Sequence, residues 1–246
     1  ARLPQRDRRH AGAAGVMQVP LQVGALDAAI IDLDGTLVDT LGDFAGALGR
    51  MLHDLALPPI DATQIERMVG KGSEYLLRSV LNHVLAPMDE AQRAIKIEAL
   101  FAQAWASYQA HYRAINGQCA QVYPGADQGL QALRARGLRL ACLTNKPHAF
   151  AVDLLHAKGL AGYFEHVFGG DSFERKKPDP LPLHKTCEAL GTQPARTLMV
   201  GDSSNDAQAA RAAGCPVVLV TYGYNHGQDA RSVDADGWVD SLAQLA

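Results

Sequence analysis

Five short apolar runs along this chain end in polar or acidic residues, and four of them are coupled to patterns of helical spacing. Residues 28–31, 138–143, 166–171, 197–200 and 216–220 have the length and apolar content of buried strands. The stretches 126–136, 149–158, 181–190 and 205–213 carry apolar residues at helical spacing. Each stops at a glycine (Gly137, Gly159, Gly191 and Gly214), the expected punctuation of a helix C-terminus. Strands alternating with helices predict an α/β fold: a Rossmann-like parallel sheet with helices on both faces. In such sheets ligands bind at the carboxyl ends of strands, where the polar motifs of this chain fall.

Residues 41–116 follow another rhythm. They contain no strand pattern, and apolar residues recur at helical spacing around Phe44-Ala47-Leu48-Met51-Leu52, Tyr75-Leu76-Ser79-Val80 and Ala99-Leu100-Ala104. The pattern predicts a helical domain inserted after the first strand, over 41–116, into an α/β core made of 25–40 and 117–246. Residues 1–24 are expected to be a disordered extension. Its first sixteen residues are Arg-rich and lack the apolar stretch of a secretory signal, and Met17 is expected to be the natural start.

Composition narrows the function classes. In 246 residues with 48% apolar content and a net charge of −3 there is no basic footprint, so neither nucleic acid nor a membrane surface is an expected partner. No run reaches the length of a membrane span. Cys119, Cys142, Cys187 and Cys215 are scattered without metal-ligand spacing, and each is expected to be a buried small residue in a reducing cytoplasm.

The first strand ends in Asp32-Leu-Asp34-Gly-Thr36. Two acids two residues apart share a side of an extended segment, and Gly35 lets the chain turn immediately. Buried charges must be paired or bound to metal, so this pair predicts a cation and a reaction. Thr144-Asn145-Lys146 ends the second core strand, where a Thr-Asn would also serve as a helix N-cap and so as an anion site. In Lys176-Lys177-Pro178 the proline favours an extended Lys177. Gly201-Asp202-Ser203-Ser204-Asn205-Asp206 puts Asp202 at a strand end, with Asp206 in the first turn of a helix, where an acid favours the dipole.

Together these four segments, in this order, resemble motifs I to IV of the haloacid dehalogenase-like (HAD) phosphohydrolases, from about Asp27 onward. The resemblance implies that Asp32 attacks phosphorus to form an aspartyl-phosphate, while Asp34 protonates the leaving alkoxide and then activates water. It implies that Thr144 and Asn145 hold the phosphate, and that Lys177 stabilises phosphoryl charge and ties down Asp32. Three carboxylates facing a dianionic phosphate need a cation, since two like charges at 4 Å repel by about 4 kcal/mol at an effective dielectric of 20. An all-oxygen ligand set beside phosphate points to Mg²⁺, held by Asp32, Asp34 through its backbone carbonyl, and Asp202, with Asp206 behind them.

The helical insertion corresponds to the family's C1-type cap. Val69-Gly70-Lys71-Gly72 with the following Tyr75-Leu76-Leu77 is similar to the specificity loop of phosphoglycolate phosphatases, as are Val122-Tyr123-Pro124-Gly125 and Val220-Thr221-Tyr222-Gly223-Tyr224. Gly70 and Gly72 are expected to let backbone N–H groups approach a small anion, with Lys71 contacting its carboxylate. The implied reaction is Mg²⁺-dependent hydrolysis of a small phosphate monoester, 2-phosphoglycolate first among them, by a cytoplasmic monomer or homodimer. A phosphosugar phosphatase or mutase shares both aspartates and stays open, as does a dehalogenase-type hydrolase, although that chemistry has no need of Asp34. A binding module on this fold is expected to have lost one of the five motif residues, and none is missing.

Overall fold

β1 (Ala28–Ile31) lies at the centre of a six-stranded parallel sheet and is hydrogen-bonded on both sides, to β4 (Arg139–Leu143) and β6 (Thr197–Gly201). The structure is a computed structural model describing residues 26–246, so the extension expected over 1–24 lies outside the described residues. Beyond β4 comes β5 (His166–Phe168), and beyond β6 come β7 (Val217–Val220) and β8 (Gly237–Val239), giving the order β5-β4-β1-β6-β7-β8. Burial of both faces explains why the inner strands read as unbroken apolar runs.

Side chains of β1 alternate between two cores. Ala29 and Ile31 pack with Leu130 and Leu133 of α5 (Ala126–Ala135) and Leu154 and Leu155 of α6 (His148–Ala157). Ala28 and Ile30 pack with Leu183 and Leu190 of α7 (Leu181–Leu190) and Ala209 and Ala210 of α8 (Ser204–Ala213). The expected two-faced sheet is therefore present, with one strand more than the apolar runs predicted. That strand, β8, is a three-residue edge strand whose pattern is too short to register.

Between β1 and α5 the chain leaves the sheet. A two-residue antiparallel pair, β2 (Val38–Asp39) with β3 (Gln121–Val122), ties the outgoing and returning strands together. Between them lie α1 (Leu41–Asp54), α2 (Ala62–Glu66), α3 (Ser73–Val84) and α4 (Glu90–Ile115), which form the helical cap. The cap has its own core, in which Phe44, Leu48 and Met51 of α1 meet Leu77 and Leu81 of α3 and Tyr108 and Tyr112 of α4. Phe150 of α6 joins that cluster, its ring centroid 5.0 Å from that of Tyr112, so apolar packing continues from cap to sheet domain.

Cys142, Cys187 and Cys215 are buried as expected, but Cys119 is exposed, because it follows the cap at the surface end of the return strand. All four are free thiols. Among the described residues no helix is long and apolar enough to cross a membrane.

Candidate active site

Two strand ends and the first turn of a helix deliver three acids to one place. Asp32 follows β1 directly and stays in register, its N–H donating to the Val200 carbonyl at 2.9 Å. Asp202 follows β6, where its Oδ2 accepts from the Tyr224 N–H at 2.7 Å. Gly35 makes the approach feasible: its φ is +82°, and a Cβ there would strike the Asp202 carboxylate.

Lys177 reaches back from the loop before α7 into this cluster, and its ammonium is ringed by three oxygens. Asp206 Oδ1 lies at 2.7 Å, the Leu143 carbonyl at 2.8 Å and Asp32 Oδ1 at 3.0 Å. Asp206 is itself fully engaged: its Oδ2 accepts from the N–H groups of Asp202 and Ser203 at 3.2 and 3.1 Å and from Ser203 Oγ at 3.0 Å. With Ser203 it forms a capping box at the start of α8. Asp206 thus anchors the lysine and the helix together.

Asp32, Asp202 and Asp206 each bring a carboxylate oxygen within 4.8 Å of the others. Burial pushes the Asp32 carboxyl up to about 7, Lys177 opposing and Asp206 adding to the effect. Burial likewise raises Asp202 well above the usual carboxylate range, reinforced by Asp206 and Asp32. Burial works against the Lys177 ammonium, but Asp206 and Asp32 outweigh it and hold the group above the ordinary lysine value. Three buried carboxylates against one ammonium leave excess negative charge. Asp32 Oδ1 is buried and paired with the Lys177 ammonium at 3.0 Å. The donor set fits a hard divalent ion, with Asp32 and Asp202 offering the oxygens that Asp206 has already spent.

Asp34 stands apart from that trio. Its Oδ1 accepts from Thr40 Oγ1 at 2.8 Å and pairs with Lys146 Nζ at 2.9 Å. Lys146 is buried, and its ammonium lies 4.6 Å from the Phe44 ring centroid and 4.8 Å from that of Tyr112. The sequence carries no local signal for this residue, because a lone lysine after Thr-Asn reads as a solvated side chain. The rings that cover it come from α1 and α4.

The neighbouring motif residues are buried with it. Thr144 Oγ1 accepts from the Lys146 N–H at 3.2 Å. Neither Thr144 nor Asn145 caps a helix, because the helix begins later, with Pro147 at the N-cap of α6. Asn145 instead donates through Nδ2 to the Gly70 and Lys177 carbonyls at 2.9 and 2.8 Å, fastening the cap loop to the lysine loop. Asn205 donates to the same Gly70 carbonyl at 3.2 Å, a tie the sequence did not indicate.

Part of this constellation lines a cavity of about 30 Å³ between sheet and cap. Asp32, Asp34, Thr144, Asn145 and Lys146 face it from the sheet domain. Phe44, Leu76, Tyr108 and Tyr112 face it from the cap, together with Gly70 and Gly72. Both glycines are in the left-handed region, with φ of +107° and +90°. Lys71 between them does not line this cavity, contrary to the expectation that it contacts a bound carboxylate there. Its ammonium sits 5.0 Å from the Tyr75 ring centroid, in an adjoining groove shared with Arg175 and Lys176.

Residues 26–214 match the haloacid dehalogenase-like hydrolase family. The chain is 46% identical over 221 residues to a phosphoglycolate phosphatase of Thiobacillus denitrificans, covering 90% of this chain and 94% of the relative. It is 44% identical over 226 residues to a phosphoglycolate phosphatase of Nitrosospira multiformis, covering 92% and 95%. Among solved structures, a predicted phosphoglycolate phosphatase from Haemophilus somnus superposes with a TM-score of 0.82 at 30% identity, over 90% of this chain and 96% of that one.

Proposed function

The chain belongs to the haloacid dehalogenase-like hydrolase family, and from that premise we propose that it hydrolyses 2-phosphoglycolate to glycolate and phosphate through an aspartyl-phosphate on Asp32. The observation that carries this reading is the state of Asp32. It is a buried carboxylate at the end of the central strand, paired with Lys177 at 3.0 Å, clustered with Asp202, and lining the cavity together with Asp34. A carboxylate so held is oriented to attack, and splitting one displacement into two lowers the barrier of each.

In this reading Asp32 attacks phosphorus in line with the ester oxygen. Asp34 gives a proton to the departing alkoxide and afterwards takes one from the water that cleaves the acyl phosphate. Lys177 balances charge on the phosphoryl oxygens and holds Asp32 in place, itself fixed by Asp206. Thr144 supplies its hydroxyl to a phosphoryl oxygen. The cap excludes bulk water during the first step. We assign Mg²⁺ to the acidic cluster, with Asp32, Asp202 and the Asp34 backbone carbonyl as its protein ligands; when bound it neutralises charge shared between carboxylates and phosphate. We place the enzyme in the cytoplasm, where its four free thiols stay reduced.

Support for the substrate comes from two sides: the relatives named above are phosphoglycolate phosphatases, and the cavity is small and partly walled by aromatic rings. Initial rates with Mg²⁺ on 2-phosphoglycolate, phosphosugars, nucleoside monophosphates and pyrophosphate test it. The highest kcat/KM is expected for 2-phosphoglycolate. A phosphosugar turned over faster, or phosphoryl return to a sugar, would replace this substrate and leave the chemistry standing.

The ion is tested without turnover. An ion bound only to the folded state at a hundred times its Kd stabilises by ~2.7 kcal/mol. For a chain of this size that is a rise in Tm of roughly 5–10 °C. Mg²⁺ is expected to produce such a rise in the wild type and a much smaller one in Asp202→Asn. Equal shifts in the two proteins would remove Asp202 from the ligand set.

A further inference from the structure

Lys146 and Lys177 are both buried in the site, yet their ammonium groups are partnered very differently. Three oxygens within 3.0 Å surround Lys177 Nζ, two of them in carboxylates. Lys146 Nζ has one acceptor among the described residues, Asp34 Oδ1 at 2.9 Å. Two of its donors are therefore unspent, although the side chain is only 2% exposed. Buried lysine is rarely left so, because each unmet donor carries its full desolvation cost. The rings of Phe44 and Tyr112 offset part of that cost by facing the charge, but they accept no directed hydrogen bond.

A second unpartnered group belongs to a residue of the same cavity wall. The hydroxyl of Tyr112 is buried and has no hydrogen-bond partner among the described residues, while its residue lines the cavity and its ring lies against Lys146. Burial, with Asp34 and Asp43 adding to it, holds this phenol well above its ordinary value, so it stays an O–H donor. Gly72 and Ser73, at the start of the twelve-residue α3, also line the cavity and turn the positive end of that helix toward it. Beside the Asp34 carboxylate, the unspent groups of Lys146 and Tyr112 are donors. The corner wants an anion other than the phosphate, which belongs beside Asp32 and Lys177.

We infer that Lys146 and the Tyr112 hydroxyl form a carboxylate subsite, so that the enzyme selects phosphate monoesters whose leaving group carries a carboxylate close to the ester oxygen. This rests on the phosphatase reading above and names the feature of the substrate that the cavity recognises. Its location follows from Asp34. The proton donor must lie at the ester oxygen, and Lys146 is hydrogen-bonded to that donor. A group one methylene beyond the ester oxygen therefore falls beside Lys146. A carboxylate there meets the two spare ammonium donors, and the apolar walls of Phe44, Leu76 and Tyr108 oppose a hydrated sugar in its place. The subsite also takes over the role the sequence suggested for Lys71, which the structure puts in a different groove.

The test compares kcat/KM for 2-phosphoglycolate and for 2-hydroxyethyl phosphate, which replaces the carboxylate by an uncharged alcohol of similar size. The wild type is expected to prefer 2-phosphoglycolate strongly. Lys146→Met is expected to shrink the ratio by roughly 10- to 100-fold, the range for losing charge-assisted hydrogen bonds. Tyr112→Phe, which deletes one oxygen and leaves the packing intact, is expected to shrink it by a smaller factor without lowering Tm. A wild type indifferent to the carboxylate would overturn the subsite. So would variants whose rates on both esters fall together, because Lys146 would then act only through Asp34. A better substrate elsewhere in the wider panel would displace 2-phosphoglycolate, and the ratio within this pair would still decide the subsite.

Discussion

Asp32→Asn is expected to reduce turnover by roughly 10⁴-fold or more and to leave the fold intact. The amide occupies the volume of the carboxylate but has no anionic oxygen to attack phosphorus, and loss of a covalent nucleophile removes most of the rate an enzyme supplies. Stability should not suffer. The Asp32 carboxyl is pushed up to about 7, chiefly by burial. A raised carboxyl means that the folded state holds a proton the unfolded chain releases, so its ionisation costs stability as pH climbs from about 4 through 7. A neutral asparagine avoids that cost, although Lys177 then faces an amide in place of one of its two carboxylates. The metal-free variant is accordingly expected to melt no lower than the wild type near pH 8. Two measurements check the prediction: steady-state turnover, and acid-quenched protein after reaction with labelled substrate. The wild type should carry label and the variant none. Residual activity within tenfold of the wild type would remove Asp32 as nucleophile.

The residues of the site were legible in proportion to how locally their environment is set. β1 is flanked on both sides, so Ala28 to Ile31 had to be apolar throughout, and the acids after it had to emerge at a sheet end. Asp202 was visible for the same reason. The approach of Lys177 to Asp32 crosses more than a hundred residues, and it was legible only because the motifs arrive in a familiar order. Lys146 had no such support. What makes it unusual is enclosure by Phe44 and Tyr112, which stand on two helices far away in sequence and meet only when the cap folds over the sheet. Lys71 failed in the opposite way. Its glycine-flanked loop suggested an anion site, and the loop does border the cavity, but the side chain leaves over Tyr75. Thr144 and Asn145 read as an N-cap because helical spacing follows them, whereas the residues in between are spent on the cavity wall before Pro147 starts the helix. Strand ends are thus written in local patterns, while the cap's contribution to the site is written in packing between distant segments.

Removing Lys177 is expected to damage stability and catalysis together, the largest structural effect of any single change in this site. The ammonium sits within 3.0 Å of Asp206 Oδ1, the Leu143 carbonyl and Asp32 Oδ1, and the side chain is 2% exposed. Lys177→Met keeps much of the volume but leaves two buried carboxylates facing each other and a buried carbonyl without that donor. Breaking one half of a buried ion pair costs roughly 3–5 kcal/mol. At ~2–4 °C per kcal/mol for a chain of this length, Tm should fall by roughly 6–20 °C. The sign of the pH response distinguishes this cause from lost packing. With the cation gone, the Asp32 carboxyl loses the partner that opposed its rise and moves further above its unfolded value, so it binds a proton more readily folded than unfolded. That penalty is fully present at pH above the raised Asp32 value and shrinks as pH falls through it. The Tm gap between variant and wild type is therefore expected to narrow from pH 8 to pH 5. A gap of constant size would mean that the lost contacts were apolar. Lys177→Arg is not expected to restore the wild type, because a planar fork cannot place three donors on oxygens arranged around one point. Its turnover should fall with that of Lys177→Met, since Asp32 is then no longer held where the phosphate must meet it.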